Sequence, residues 1–195
     1  MRMSRQEAAK NRERVVNTAS EMFREFGYDG IGIAGLMKAS GLTNGAFYKQ
    51  FESKEALIAE ATAQAFADNA TAWRKALENA GGDALKAAEQ WYLSEPHLNH
   101  RGLGCTLATL ASEAPRHDEP VRRAFDEGIR TILELIADTG PRGDTSCDKN
   151  SEIRELCRLV GALSLARAVS DSGLAERILE ANRGVKEFDK RQRKP

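Results

Sequence analysis

Residues 33–50 read Ile33-Ala34-Gly35-Leu36-Met37-Lys38-Ala39-Ser40-Gly41-Leu42-Thr43-Asn44-Gly45-Ala46-Phe47-Tyr48-Lys49-Gln50. Two short segments with helical apolar spacing flank a Ser-Gly-Leu-Thr turn. A sharp bend between helices needs a residue free of Cβ, and Gly41 supplies it. Leu36, Met37, Leu42 and Phe47 fall on the inward side of the two segments. The second segment opens with Thr43, Asn44, Gly45 and Ala46, a small and polar outer face that fits a major groove about 12 Å wide. Tyr48 and Lys49 then offer a hydroxyl and a cation at the height of the phosphates. The spacing predicts a helix-turn-helix, a pattern that any short αα-hairpin can share.

Outward from this stretch the periodicity stays helical. Upstream, Val15, Val16, Ala19, Met22, Phe23 and Phe26 form one face of an amphipathic helix over Gln6–Phe26, and Gly27 is placed to stop it. Downstream, Ser53 is an N-cap for a long helix reaching about Asn79, before the Gly81-Gly82-Asp83 break. Further helices are expected over Ala84–Ser94, ending before Pro96, and over Gly104–Ala114, ending before Pro115. Pro120 opens another to about Asp138, a loop covers Thr139–Lys149, and Ser151–Ser170 and Leu174–Arg183 follow. The tail from Gly184 is polar and basic, and is expected to fray. No sustained period-two run rich in Val, Ile and Thr occurs. The reading is an all-α chain of about nine helices, with an N-terminal helix-turn-helix domain over 1–50 and a helical body over 51–195.

The chain has 195 residues, with 41% hydrophobic and 30% charged, which suits a globular protein and excludes wholesale disorder. Lys+Arg and Asp+Glu balance at 29 each. The balance hides basic ends: the first fourteen residues hold Arg2, Arg5, Lys10, Arg12 and Arg14 against Glu7 and Glu13. Such ends are compatible with phosphate contact, and equally with a solvated surface. No apolar run approaches a membrane span, and the charged N-terminus lacks a signal core. Three cysteines without framework spacing, Cys105, Cys147 and Cys157, point to a reducing, cytoplasmic location.

Around the helix-turn-helix lies a denser pattern. Phe23-x-x-x-Gly27-Tyr28 is followed by Gly41-Leu42-Thr43-x-Gly45-x-Phe47-Tyr48-x-x-Phe51-x-Ser53-Lys54-Glu55-x-Leu57. Over about residues 12–60 this resembles the DNA-binding domain of TetR-type transcriptional regulators. It departs at Gly32, where the family usually has Thr or Ser capping the second helix, and at Met37-Lys38, which replaces a common Ile-Ala pair. The resemblance implies an all-α homodimer on a near-palindromic duplex, most often a repressor released by a small ligand. It makes Thr43, Asn44, Gly45 and Ala46 the groove-facing residues, and Tyr48, Lys49 and Lys54 the phosphate contacts.

The body resembles the family in architecture only, and that resemblance implies a pocket and a dimer surface. Phe66, Trp73, Trp91, Tyr92, Leu103, Cys105, Leu107, Thr109 and Leu110 suit an apolar or aromatic ligand, and suit a plain core equally well. Cys105 follows Gly104 near an expected helix start, close in sequence to His97, His100 and Arg101. That pattern allows an electrophile-sensing thiol or a small buried hydrophobe. As metal ligands, His97, His100 and Cys105 lack a second pair at zinc spacing, so no metal or cofactor is expected. Stripes at Val121, Phe125, Ile129, Ile132, Leu133 and Ile136, and at Ile153, Leu156, Leu159, Val160, Leu163 and Ala166, fit a two-fold interface or internal core, and the two uses are expected to coexist. Charging Leu163 is then expected to give monomers or insoluble chain. The long helix after Ser53 is expected to be the one continuous element that carries a signal from the body to the DNA-binding segment. An enzyme finds no support: there is no phosphate-binding Gly-rich loop, no G-x-S-x-G and no paired carboxylates beside a His. A helical adaptor that keeps the helix-turn-helix only as scaffold is the remaining alternative.

Overall fold

A computed structural model describes residues 5–78, 83–139 and 150–184. The Gly81-Gly82 break, most of the Thr139–Lys149 loop with Cys147, Arg2, and the basic tail lie outside the described residues. The described chain holds helices α1 (Arg5–Phe26), α2 (Ile33–Ala39), α3 (Lys54–Glu78), α4 (Ala84–Tyr92), α5 (Glu95–Asn99), α6 (Thr106–Leu110), α7 (Glu119–Ala137), α8 (Ser151–Ala168) and α9 (Ser172–Ala181). Short 3-10 helices cover Asn44–Lys49 and Ala114–Arg116, and no strand occurs among the described residues.

α1 ends where predicted: the Gly27 amide donates to the Phe23 carbonyl at 2.8 Å, with Gly27 at φ +79°. Its buried stripe winds from Val15 through Ala19 and Phe23 to Ser20 and Arg24, so Arg24 lies inside while Phe26 is 55% exposed. The expected placement of Phe26 on the inner face is thereby corrected. α3 is the spine, packing against α1 on one side and α7 on the other. Its N-terminus is capped as the sequence predicts, with Ser53 Oγ accepting from the Ala56 amide at 3.0 Å. A two-pronged Arg12–Glu60 ion pair and the Arg12 guanidinium 4.6 Å from the Phe51 ring centroid clamp α1 to α3.

Two predicted helices are shorter than expected. α4 ends before Pro96 as expected, two residues early, and Pro96 occupies the first turn of a further helix, α5, where its missing N–H costs nothing and Ser94 caps the turn. The expected helix over Gly104–Ala114 shrinks to α6, because side chains from elsewhere hold the turn before it. Glu25 accepts from the Gly102 amide at 2.9 Å and His97 from the Cys105 amide at 2.9 Å, so these amides are satisfied outside a helix.

Candidate functional site

The helix-turn-helix is built by a local device. Gly41 (φ +69°) sits just past the α2 C-terminus; its amide donates to Lys38 O at 3.0 Å and the Leu42 amide to Met37 O at 2.8 Å. These two bonds form a Schellman motif, which needs the left-handed conformation that glycine adopts without strain. Leu36, Met37 and Phe47 are buried completely and Leu42 is partly buried. Thr43, Asn44, Gly45, Tyr48 and Lys49 are exposed, and Ala46 is half-buried. Tyr48 is 70% exposed, its ring standing edge-on to Phe47 at 5.2 Å. Gly32 occupies the N-cap of α2 and offers no side-chain cap.

Tyr28 joins this segment to the rest of the chain. Its hydroxyl lies 2.7 Å from Thr62 Oγ1, and Thr62 Oγ1 donates to the Ile58 carbonyl at 2.7 Å, so Tyr28 is the donor in the first bond. Burial raises the Tyr28 phenol far above its ordinary pKa, and the Thr62 bond acts in the opposite sense. The Tyr28 amide donates to Glu113 at 2.8 Å and its ring meets His117 edge-on at 4.7 Å. His117 Nδ1 in turn lies 3.0 Å from Glu55. Lys54 Nζ donates to the Tyr28 carbonyl at 2.6 Å, which places its ammonium at this joint, 3.8 Å from Asp29.

In the body, Trp73, Trp91, Tyr92 and Cys105 come together around His97. Trp91 stacks on His97 at 5.6 Å, Tyr92 meets His97 edge-on at 4.7 Å, and Trp73 lies 5.7 Å from Trp91. Phe66 lies apart, two helical turns before Trp73, and packs on Phe125 at 5.2 Å. Thr109 is half-buried, and its hydroxyl donates to Cys105 O at 3.0 Å and Thr106 O at 3.1 Å. Leu103 is 68% exposed and does not join the cluster, which corrects its place among the pocket residues. Two surface clefts open elsewhere. One of about 410 Å³ runs between α1 and α3 past Arg12, Val16 and Gln64, and the other lies between Phe26 and His117.

The turn that carries Cys105 is held by buried polar groups whose role the sequence pattern did not signal. The Gly104 carbonyl accepts from Arg24 Nη1 at 3.2 Å and from Asn69 Nδ2 at 2.9 Å. Asn69 Oδ1 accepts from both the amide and the hydroxyl of Thr106, each at 2.8 Å. Arg167 Nη2 donates to the His97 carbonyl at 2.6 Å. A Cβ on Gly104 would lie 2.7 Å from that Nη2, so a larger residue would make the guanidinium shift. His97 is neutral: burial pulls its pKa down to about 4, against the Tyr92 carbonyl bond. Its Nε2 accepts from Cys105 N–H, so Nδ1 carries the proton and donates to Tyr92 O at 2.7 Å. Both ring nitrogens are committed, so His97 orients the turn and does not act as a base on the thiol. Through the Gly104 and His97 carbonyls, the guanidinium groups of Arg24 and Arg167 hold the turn that carries Cys105.

The expected interface stripes are largely internal. Val121, Phe125, Ile132 and Ile136 of α7, and Leu156, Leu159, Leu163 and Ala166 of α8, are buried within one protomer. Leu163 therefore belongs to the core. The outward face of α8 carries Ile153, Cys157, Leu165 and Ala168, with Leu165 61% and Ile153 43% exposed. Gly161 lies along it with nothing within 4 Å of an added Cβ. Nor is α3 the only link between the two regions, since α1 reaches Gly104 directly through Arg24.

Residues 15–61 match the family described as bacterial regulatory proteins, tetR family. Over 129 residues the chain is 27% identical to the HTH-type transcriptional repressor NemR of Escherichia coli (strain K12), a match spanning 65% of this chain and 65% of NemR. It is 23% identical over 141 residues to the HTH-type transcriptional repressor DhaR of Mycobacterium sp. (strain GP1), covering 70% of this chain and 71% of DhaR. The fold is similar to that of the reduced form of E. coli NemR, with a TM-score of 0.74 at 20% identity over 90% of this chain and 96% of that one. Residues 15–61 thus match the DNA-binding domain of the tetR family of bacterial regulatory proteins, and the helical body that follows is similar in fold to that of reduced E. coli NemR.

Proposed function

We propose that the protein is a dimeric, cytoplasmic DNA-binding transcriptional regulator, a repressor that a small ligand releases from a near-palindromic operator. It divides into a DNA-binding domain over 1–50 and a ligand-binding and dimerisation domain over 51–195. The observation that carries the reading is the exposed series Thr43, Asn44, Gly45, Tyr48 and Lys49 on a segment anchored by fully buried Leu36, Met37 and Phe47. Such an element can enter a major groove while its own core fixes its orientation. Thr43, Asn44, Gly45 and Ala46 read base edges; Tyr48 and Lys49 contact phosphates. Lys54 reaches a phosphate only by leaving or sharing the Tyr28 carbonyl, so its contribution to DNA is the smallest of the three.

The dimer forms through the outward face of α8, where Ile153, Cys157 and Leu165 are exposed and Gly161 allows close helix approach. The ligand acts at Trp73, Trp91, Tyr92 and Cys105, with Phe66 and Thr109 flanking, as an apolar or aromatic molecule or as an electrophile that attaches to Cys105. A ligand that prefers the DNA-incompetent state by a factor of 10–100 needs about 1.4–2.7 kcal/mol of coupling. The test is a mobility shift on a selected duplex, titrated with candidate ligands. Salt-dependent binding lost on ligand addition supports the reading. A chain with no salt-dependent DNA affinity is a helical adaptor instead.

A further inference from the structure

Tyr92 is 1% exposed, yet its hydroxyl has no hydrogen-bond partner within the protein. Buried phenols are normally paired, because an unpaired one forfeits its hydration. Arg167 repeats the pattern: its Nε and Nη2 donate to the carbonyls of Leu98 and His97, while its buried Nη1 has no partner. Both groups border the same thiol. Burial and then Cys105 push the Tyr92 pKa well above its ordinary value. Burial lowers that of Arg167, with Cys105 and Tyr92 acting against it. His97 cannot satisfy either donor, since both of its nitrogens are engaged. Two buried donors therefore lie beside one thiol, whose sulfur, a weak acceptor, is the group that acts on the Tyr92 hydroxyl.

We propose that Tyr92 Oη and Arg167 Nη1 form a site for a small carboxylate-bearing molecule, held with its carbon chain against Cys105. The two donors supply the hydrogen bonds a carboxylate takes, and the guanidinium supplies the opposite charge. The molecule is small because Trp91, Tyr92 and His97 pack ring on ring beside the thiol. This inference rests on the reading of Cys105 as part of the ligand site and adds the chemical class of the ligand.

Iodoacetate and iodoacetamide test it on the full-length protein. With either reagent the Cys105 sulfur displaces iodide: a C–S bond forms, the C–I bond breaks, and the thiol proton passes to buffer. The reagents differ in carrying a carboxylate or a neutral amide. Peptide mass spectrometry separates Cys105 from Cys147 and Cys157, and N-acetylcysteine gives the reference ratio of the two rates. The expected iodoacetate-to-iodoacetamide ratio at Cys105 exceeds the reference by about tenfold, and more than about threefold supports the site. Tyr92→Phe or Arg167→Gln should bring it back toward the reference. A ratio within about threefold of the reference, as when an ordered water satisfies both donors, overturns the proposal. So does failure of either reagent to reach Cys105, or a raised ratio that both variants leave unchanged. No DNA enters this measurement, so its failure leaves the release of DNA by other ligands to be judged separately in the mobility shift.

Discussion

Arg24 Nη1 donates to the Gly104 carbonyl at 3.2 Å, so the last turn of α1 grips the residue immediately before Cys105. The Arg24 side chain is 1% exposed and also donates to the Ser20 carbonyl and hydroxyl, with Asp68 at 3.3 Å. Removing it takes one of two donors from the Gly104 carbonyl, which keeps Asn69 Nδ2, and leaves a void. Arg24→Ala should lower unfolding stability by about 2–3 kcal/mol, read from urea midpoints. Among variants that still bind DNA, Arg24→Lys should show a weaker ligand response than the unmodified protein in the mobility shift. An undiminished response would exclude Arg24 from the coupling.

The Tyr28 hydroxyl donates to Thr62, whose own proton is committed to the Ile58 carbonyl. Tyr28→Phe removes one buried bond and leaves the ring contacts with Phe23 and His117 intact. The expected loss is about 1–1.5 kcal/mol, seen as a lower urea midpoint with an unchanged slope. A loss below the error of the measurement would mean that Thr62 finds another partner.

Acid should act through His97. Its folded pKa of about 4 lies below the ordinary imidazole value of 6.5, so the unfolded chain takes up the proton first. Above pH 6.5 both states are neutral and this group contributes nothing. As pH falls from 6.5 toward 4, stability should drop by roughly 2–3 kcal/mol on account of His97 alone. His97→Gln should remove that part of the acid sensitivity. Thermal unfolding of the two proteins between pH 7 and pH 4.5 checks this; parallel losses would contradict it.

Two leucines two residues apart on α8 should behave differently. Leu163 is fully buried, so Leu163→Glu should unfold the protomer. Leu165 is 61% exposed, so Leu165→Glu should yield a folded chain of monomer mass by light scattering. A folded dimer from Leu165→Glu would move the interface off this face.

The contrast shows where sequence reading stopped. Leu163 stands in the apolar stripe expected at the interface and Leu165 outside it, and only the neighbours α6, α7 and α9 decide that the stripe faces the core. Leu36, Met37, Gly41 and Phe47 were legible because their turn closes within a few residues, by bonds from Gly41 to Lys38 and from Leu42 to Met37. Arg24 and Asn69 were not, since their partner, the Gly104 carbonyl, lies 80 and 35 residues away. An arginine in an amphipathic helix looks solvated until that distant acceptor is known. The helix end before Pro96 was legible, but not α5, because a proline that follows one helix can also sit in the first turn of the next.

The central claim is that Thr43–Lys49 reads DNA as one half of a symmetric pair. Selection of duplexes from a random library by the purified protein tests it most directly. The account predicts enrichment of an inverted repeat with half-sites about one helical turn apart or slightly more. It further predicts that Asn44→Ala alters the selected bases, while Lys49→Ala weakens every sequence and lowers the salt slope by about one. Enrichment of no sequence, or of a site without two-fold symmetry that Asn44→Ala leaves unchanged, would contradict it.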